Sequence, residues 1–319
     1  MPAKFENKYI VGDNLKLLEE IPNECCALVY LDPPYNTGRD FNDFKDKFAS
    51  MQAYADDFLL PRLKECHRIL KKDGNIVVHV EPRNSHYVRF ALDKAFGGGN
   101  FRNEIAWKSG GNAKNKSKLG RFHDTIIVYG KSKKPIYNPE YLPYDDAYKK
   151  SSSAKEEEET GRWHVTTAIH NSQPDINPRM NLRYEWNGHH KQWYVCKEKM
   201  QVLHDDNRLH YNKRGVPRIK RYLDEMCGIP VRDLWIDINQ IQGAEKLDYA
   251  TQKPVKLLER IVKLYSNKGD LILDPFAGSG TIGRAAIIHE RKYVMLDINP
   301  KGKEVFEESK GKINKKGKK

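Results

Sequence analysis

The stretch LDPFAGSGTIGRAA, residues 273–286, sets Gly278, Gly280 and Gly283 in G-x-G-x-x-G spacing between an apolar run and a helix-like one. Glycines so spaced let a loop backbone approach a ligand closely and let the following helix pack tightly on the strand. Alone the pattern is weak. It gains weight because Asp297 ends the next apolar run, where a carboxylate can bind ribose hydroxyls. No Gly-Lys-Ser/Thr follows, so it is not a nucleotide-triphosphate loop. A dinucleotide dehydrogenase needs a second mononucleotide-binding half after this first one, yet 22 mostly lysine-rich residues follow Asp297. The other half of the sheet must then come from the N-terminal part of the chain, and the expected core is a circularly permuted, doubly wound α/β sheet.

Four apolar runs end at an acid: KYIVGD at Asp13, CALVYLD at Asp32, DLILD at Asp274 and KYVMLD at Asp297. In an open parallel sheet the ligand crevice lies beyond the carboxyl ends of the strands, so these acids should face one site. Helix-like segments alternate with them, NLKLLEEI after Asp13, FLLPRLKECHRILKKD over 58–73 and TIGRAAIIHE over 281–290, and GNIVVHV and DTIIVYG add two strand candidates. The division expected is a core of 1–130 and 246–300, an insertion of 131–245 and a basic tail of 301–319. The insertion is polar and mixes Trp163, Trp186 and Trp193, read as the core of a small subdomain, with histidines and basic residues. Its acidic run, Glu156–Glu159, and the lysine tail are expected to be solvated or disordered.

Lysine and arginine total 56 against 43 acids, a formal charge of +13, which suits a polyanionic partner. No apolar run approaches the roughly 18 residues a membrane span needs, so no membrane partner is expected. The start, MPAKFENKYIVGD, lacks the apolar stretch of a signal peptide; five cysteines are then expected as free thiols in the cytoplasm. Cys196, His204, His210 and Cys227 fit no closed zinc spacing, and no metal is expected.

A second stretch, VYLDPPYNTG over 29–38, leaves its strand through an acid, two prolines and a tyrosine. As an isolated feature it reads equally as a strand-ending turn. Taken in order, DPPY, TQKP at Thr251–Pro254 and DPFAGSGT near the end resemble the β class of S-adenosylmethionine-dependent DNA amino-methyltransferases, whose target-recognition region lies between the first two motifs. The resemblance covers most of the chain. It departs where many members have Glu in place of Asp297, and DYATQKP lacks a His-Pro often found before that motif.

The resemblance implies a permuted Rossmann-like methyltransferase sheet, S-adenosyl-L-methionine as cofactor and DNA as partner, with a homodimer and a restriction-enzyme partner as family possibilities. It implies catalytic roles for Asp32, Pro33, Pro34 and Tyr35, and cofactor binding by Asp13, Thr251, Gln252, Lys253, Asp274, Phe276, Gly278, Gly280, Thr281 and Asp297. Asp13 also suits a helix N-cap before NLKLLEE. His123 matches a position near the target base, a strand-start histidine with a local hydrogen bond being the alternative. An exocyclic amine is a poor nucleophile because its lone pair is delocalised into the ring. If Asp32 and the Pro33 carbonyl each accept an amino hydrogen, the lone pair is freed, and the prolines hold those acceptors rigidly. Tyr35 offers a stacking face, and the base must be flipped out of its duplex. Asp rather than Ser in the first motif position favours adenine N6 over cytosine N4. RNA methylation and an inert DNA-binding protein are the remaining alternatives.

Overall fold

In a computed structural model of the chain, the described residues are 5–35, 40–41, 44–45, 48–110, 119–151, 154–173, 176 and 178–316; the Asn-Thr-Gly turn at 36–38 lies outside them. They divide into two compact units, Met1–Glu140 with Arg232–Lys319, and Tyr141–Val231.

The first unit runs β1 (Lys8–Val11), α1 (Asn14–Glu19), β2 (Cys26–Leu31), α2 (Leu60–Ile69), β3 (Leu70–Val80), α3 (Ser85–Phe96), β4 (Phe101–Trp107) and β5 (Asp124–Gly130). After the second unit it resumes with β6 (Leu234–Trp235), α4 (Val255–Tyr265), β7 (Leu271–Asp274), α5 (Thr281–Ile288), β8 (Lys292–Asp297) and α6 (Pro300–Lys316). The strands form one sheet in the order β1-β8-β7-β2-β3-β5-β4-β6. The run from β1 to β3 is parallel throughout; β5 is antiparallel to both β3 and β4. The last two strands of the chain therefore sit between the first two, which is the permutation expected from the late glycine loop.

The central strands are continuous apolar runs because helices cover both faces of a parallel sheet. All six residues of β2, CALVYL, are buried, as are the four of β7, LILD. The helix α4, VKLLERIVKLY, buries Leu257, Leu258, Ile261, Val262, Leu264 and Tyr265, at the i, i+3, i+4 spacing of one helical face. Where one helix was expected over 58–73, α2 stops at Ile69 and β3 begins at once, because Leu70 pairs with Cys26 of β2. The C-terminal segment also departs from a solvated tail: it opens as α6, in which Val305 and Phe306 are buried. Its spacing V-F-x-x-S gives it one apolar face, and only the opposite face needs water.

The second unit is narrower at both ends than 131–245, for reasons of hydrogen bonding. Ile136 and Asn138 bond through their backbone N–H groups to Asp73 and Leu264, and Leu234–Trp235 pairs with β4, so these flanks belong to the first unit. The second unit holds an antiparallel sheet of Leu209–Tyr211, Pro217–Tyr222, Trp163–Ala168 and Lys155–Glu156, beside a hairpin of Arg183–Trp186 and His189–Gln192. Trp193 is fully buried there with Ile169, Met200 and Leu209, and Trp186 packs on that cluster. Trp163 is half-buried, with the Lys149 ammonium 5.4 Å from its ring. The acidic run is not free in solvent: Glu157 accepts bonds from Lys220 Nζ at 2.7 Å and Tyr222 OH at 2.9 Å. Among the described residues no helix is long and apolar enough to cross a membrane, and no cluster of three or more His, Cys, Asp or Glu is placed to hold a metal.

Candidate active site

Strand β2 delivers Asp32 to the carboxyl edge of the sheet, and β7 and β8 bring Asp274 and Asp297 to the same edge. Together with Asp13, which follows β1, these acids line one cavity of about 350 Å³ in the first unit. The cavity also takes Pro33, Pro34 and Tyr35 from the DPPY segment, Thr251 and Lys253 from TQKP, and Phe276, Gly278 and Thr281 from the glycine loop. Three motifs far apart in the sequence thus share one wall.

At the DPPY end the groups are locked by hydrogen bonds. Tyr35 donates its hydroxyl to Asp32 Oδ1, Lys253 Nζ donates to Asp32 Oδ2, and Lys253 Nζ also reaches the Tyr35 oxygen at 3.2 Å. The Asn84 amide donates to the Tyr35 carbonyl, fixing the backbone just past the second proline. Burial and the Asp32 charge push the Tyr35 phenol well above its ordinary range, so it remains a donor. A carboxylate oxygen has two lone-pair positions, and each oxygen of Asp32 retains one for a further donor.

At the other end the glycine loop is shaped by its own acid. Gly278 and Gly280 have φ of +50° and +71°, open to glycine at little cost. Asp297 Oδ2 accepts the Gly278 N–H at 2.7 Å, and Tyr9 OH donates to the Gly278 carbonyl at 2.7 Å. Asp13 Oδ1 caps α1 by accepting the Leu15 N–H at 3.0 Å. Arg62 braces this corner: Nε donates to Asn14 Oδ1 at 2.7 Å, and Asn14 Nδ2 donates to the Pro275 carbonyl at 2.7 Å. Asp274 is buried beneath the loop, and burial together with the charges of Asp32 and Asp297 pushes its carboxyl well up, against the Phe276 N–H bond at 2.9 Å and Lys253. Asp274 accordingly acts as the bolt of the loop.

Three expected site residues stand outside the cavity. Gln252 faces its own loop, accepting the Leu247 N–H at 2.7 Å and donating to the Glu245 carbonyl at 2.9 Å, so it shapes the approach to Lys253. Gly280 is needed for packing: a Cβ there would lie 2.5 Å from the Phe306 ring. His123 is exposed just before β5.

Several cavity residues escaped the sequence reading. Tyr30 lies two residues before Asp32, and strand alternation puts both on one face, a signal that was present in CALVYLD. His79, a buried histidine in the apolar run IVVHV, stands behind Tyr30 and was legible as a polar residue in a core strand. Arg62 and Tyr249 carried no sequence signal; Tyr249 stands where a Cβ on Gly278 would meet its ring at 3.2 Å.

Comparison with known proteins bears on this cavity. A family model described as DNA methylase matches residues 26–308. The chain is 30% identical to the type II methyltransferase M.EcaI of Enterobacter cloacae, over 91% of this chain and 66% of that protein. It is 28% identical to the DNA adenine methyltransferase YhdJ of Escherichia coli K12, over 93% of this chain and 81% of that one. It also matches the type III restriction-modification enzyme StyLTI Mod subunit of Salmonella typhimurium at 26% identity, spanning half of that longer protein. Among solved structures, a DNA modification methylase of Thermus thermophilus complexed with S-adenosyl-L-methionine superposes with TM-score 0.52 at 18% identity, covering 96% of this chain and 94% of that one. The PvuII cytosine-N4-specific DNA methyltransferase does so with TM-score 0.50 at 17% identity, covering 92% and 83%. At such identities the two structures speak to the fold.

Proposed function

Since the chain belongs to the DNA methylase family, whose model spans 26–308, we propose that it methylates the N6 amino group of adenine in DNA with S-adenosyl-L-methionine. One observation carries the reading: Asp32, Tyr35 and Lys253 share a single cavity with the glycine loop and Asp297. The adenine assignment draws on Asp in the first position of DPPY and on the likeness to an adenine methyltransferase over 93% of the chain. The charge of +13 supports DNA as the partner.

The cavity suits the cofactor on structural grounds. Gly278 turns a bare backbone toward it at positive φ, in a place where a side chain would strike Tyr249. Asp297 stands where ribose hydroxyls would be held, Asp13 and Phe276 where adenine would be, and Lys253 and Thr251 offer a cation and a hydroxyl to a carboxylate. When bound, S-adenosyl-L-methionine supplies an electrophilic methyl group.

The remaining chemistry belongs to the chain. Asp32 takes one amino hydrogen of the flipped base on its unused lone pairs, and the Pro33 carbonyl takes the other, so the nitrogen lone pair turns out of the ring plane. Pro34 has no N–H and a fixed φ, and Asn84 ties down the Tyr35 carbonyl; acceptor and carbonyl are therefore preorganised. Lys253 and the Tyr35 hydroxyl keep Asp32 oriented, and its negative charge stabilises the amine as it becomes cationic. Incubation of the purified protein with DNA and tritiated S-adenosyl-L-methionine, followed by nucleoside digestion, should place the label in N6-methyldeoxyadenosine. Label in N4-methyldeoxycytidine would transfer the reading to cytosine, and label in neither would overturn it.

A further inference from the structure

Behind the DPPY wall three buried side chains form a continuous hydrogen-bonded chain across three strands. Tyr30 of β2 meets His79 Nδ1 of β3 at 3.2 Å, and His79 Nε2 meets Asp124 Oδ2 of β5 at 3.2 Å. His79 is fully buried, and it lies one step past the Leu31–Val78 pair in the register of β2 and β3, level with Asp32. The Trp107 ring of β4 closes over it edge-on, with centroids 5.6 Å apart. At its outer end Asp124 Oδ1 lies 3.8 Å from the exposed Arg121 guanidinium. The chain therefore runs from the cavity, which Tyr30 lines, to the protein surface.

Its hydrogen-bond directions follow from the charges. Burial raises the Asp124 carboxyl, but His79, Lys253 and Arg121 outweigh that and hold it below its ordinary value, so it is ionised and only accepts. His79 Nε2 must then carry the proton given to Asp124. That leaves Nδ1 bare, and Tyr30 donates to it. The groups facing His79 are Tyr30 and Asp32 from the β2 side, Asp124 from β5 and the Lys253 ammonium; burial and Lys253 favour the neutral ring against the two acids. In this state the lone pairs of the Tyr30 oxygen, not its proton, face the cavity.

We propose that Tyr30, His79 and Asp124 form a positioning relay for the amino group that Asp32 is to accept, and that the His79 ring gives the reaction its acid limb. The relay rests on the methyltransferase reading. While His79 is neutral, Tyr30 presents an acceptor beside Asp32, which suits an amino group. A second proton on His79 makes Nδ1 a donor, and the Tyr30 hydroxyl must turn its proton toward the cavity, where it competes with the amine for Asp32. The arrangement has the form of a side chain, a histidine base and an orienting carboxylate, here buried beside the reacting centre and not within it.

The test combines two variants with two measurements. His79→Gln keeps a donor for Asp124 and an acceptor-bearing amide without titrating near neutrality; Tyr30→Phe keeps the ring and loses the hydroxyl. Each should bind S-adenosyl-L-methionine within about twofold of wild type by calorimetry and lose roughly tenfold to a hundredfold in kcat at pH 8. In both, the acid limb of the kcat profile should vanish or move to lower pH. In the wild-type protein, nitrogen NMR of labelled histidine should show His79 neutral and protonated at Nε2 at pH 7.5, becoming charged over the pH range of that limb. An unmoved limb with near-normal kcat in either folded variant would reduce His79 to a satisfied core histidine, as would an Nδ1–H tautomer. Should His79→Gln not fold, Tyr30→Phe and the NMR decide. Wild-type protein that binds the cofactor but methylates no DNA would sink the functional reading and the relay with it, whereas methylation with an unmoved limb would sink the relay alone.

Discussion

Lys253 places its ammonium on the Asp32 carboxylate across 221 residues of sequence. The contact makes DPPY and TQKP two halves of one device, with the Tyr35 hydroxyl bonded to both. Asp32 is charged and oriented before any substrate arrives.

Replacing that carboxylate should therefore abolish chemistry while sparing binding. Asp32→Ala leaves the glycine loop and Asp297 in place, and the loss of one preorganised polar group at a reacting centre costs on the order of a hundredfold to a thousandfold in rate. Asp32→Asn should be severely impaired as well, since an amide lacks the charge that a cationic amine needs. Methyl incorporation against cofactor concentration measures both; near-normal saturated turnover by Asp32→Ala would mean that DPPY only ends a strand.

Asp297→Ala should act on the opposite parameter. Ribose contacts are alike in ground and transition states, so KM for S-adenosyl-L-methionine rises with little change in kcat. The lost Gly278 N–H bond adds to the effect, and roughly tenfold to a hundredfold is expected for a hydrogen bond to a charged group. A fall in kcat with KM unchanged would contradict it.

Gly302 of α6 lies outside the cavity, yet its Cα faces the Gly278 carbonyl and the Tyr9 hydroxyl so closely that a Cβ would collide with both. Gly302→Ala should destabilise the protein by about 1–3 kcal/mol, as overpacking does. It should also weaken cofactor binding by displacing the loop. Thermal unfolding with and without S-adenosyl-L-methionine would register both, and a variant with wild-type Tm and affinity would show the contact to be slack.

Removal of residues 312–319 deletes five lysines but leaves Phe306 and Ser309 to pack. If those lysines contact phosphates, binding to all DNA sequences should weaken alike and the slope of log affinity against log salt should flatten. A changed recognition motif after truncation would show instead that the segment reads bases.

In the second unit Glu157 is held down to about 2 by its bonds from Lys220, Thr160 and Tyr222. A carboxyl with a depressed folded-state value contributes stability above its ordinary value of 4.5, and the contribution fades as pH falls from there toward about 2. Acid titration of unfolding should show a steeper loss across that window in wild type than in Glu157→Gln. Parallel curves would remove Glu157 from the account.

The sheet was legible because its evidence is one-dimensional. Apolar runs ending at Asp13, Asp32, Asp274 and Asp297 specify strands, and the lateness of the glycine loop specifies their order. Glycine spacing, however, does not say which glycine faces a ligand: Gly278 does, while Gly280 makes room for Phe306 on a helix read as a tail. Gln252 shares the TQKP motif with Lys253 but turns the other way, a matter of loop conformation. Arg62, in α2, reaches the site only because Asn14 and Phe58 hold it there. DNA sequence preference is a question of side-chain placement in grooves, and polar composition across 131–245 carries no such placement.

The order of strands also has a temporal meaning. Because β7 and β8 lie between β1 and β2, a chain emerging from the ribosome exposes the flanks of a gap before it makes the strands that fill it. Until then β1 and β2 have no lateral partners on their facing edges, and pairing across so large a sequence separation is intrinsically slow. Asp32 is synthesised early but gains Lys253, Asp274 and the glycine loop only near the end of translation. A nascent or prematurely terminated chain thus carries the acceptor for a base without the means to hold a methyl donor. The same topology makes the growing sheet a client for chaperones until its last two strands arrive.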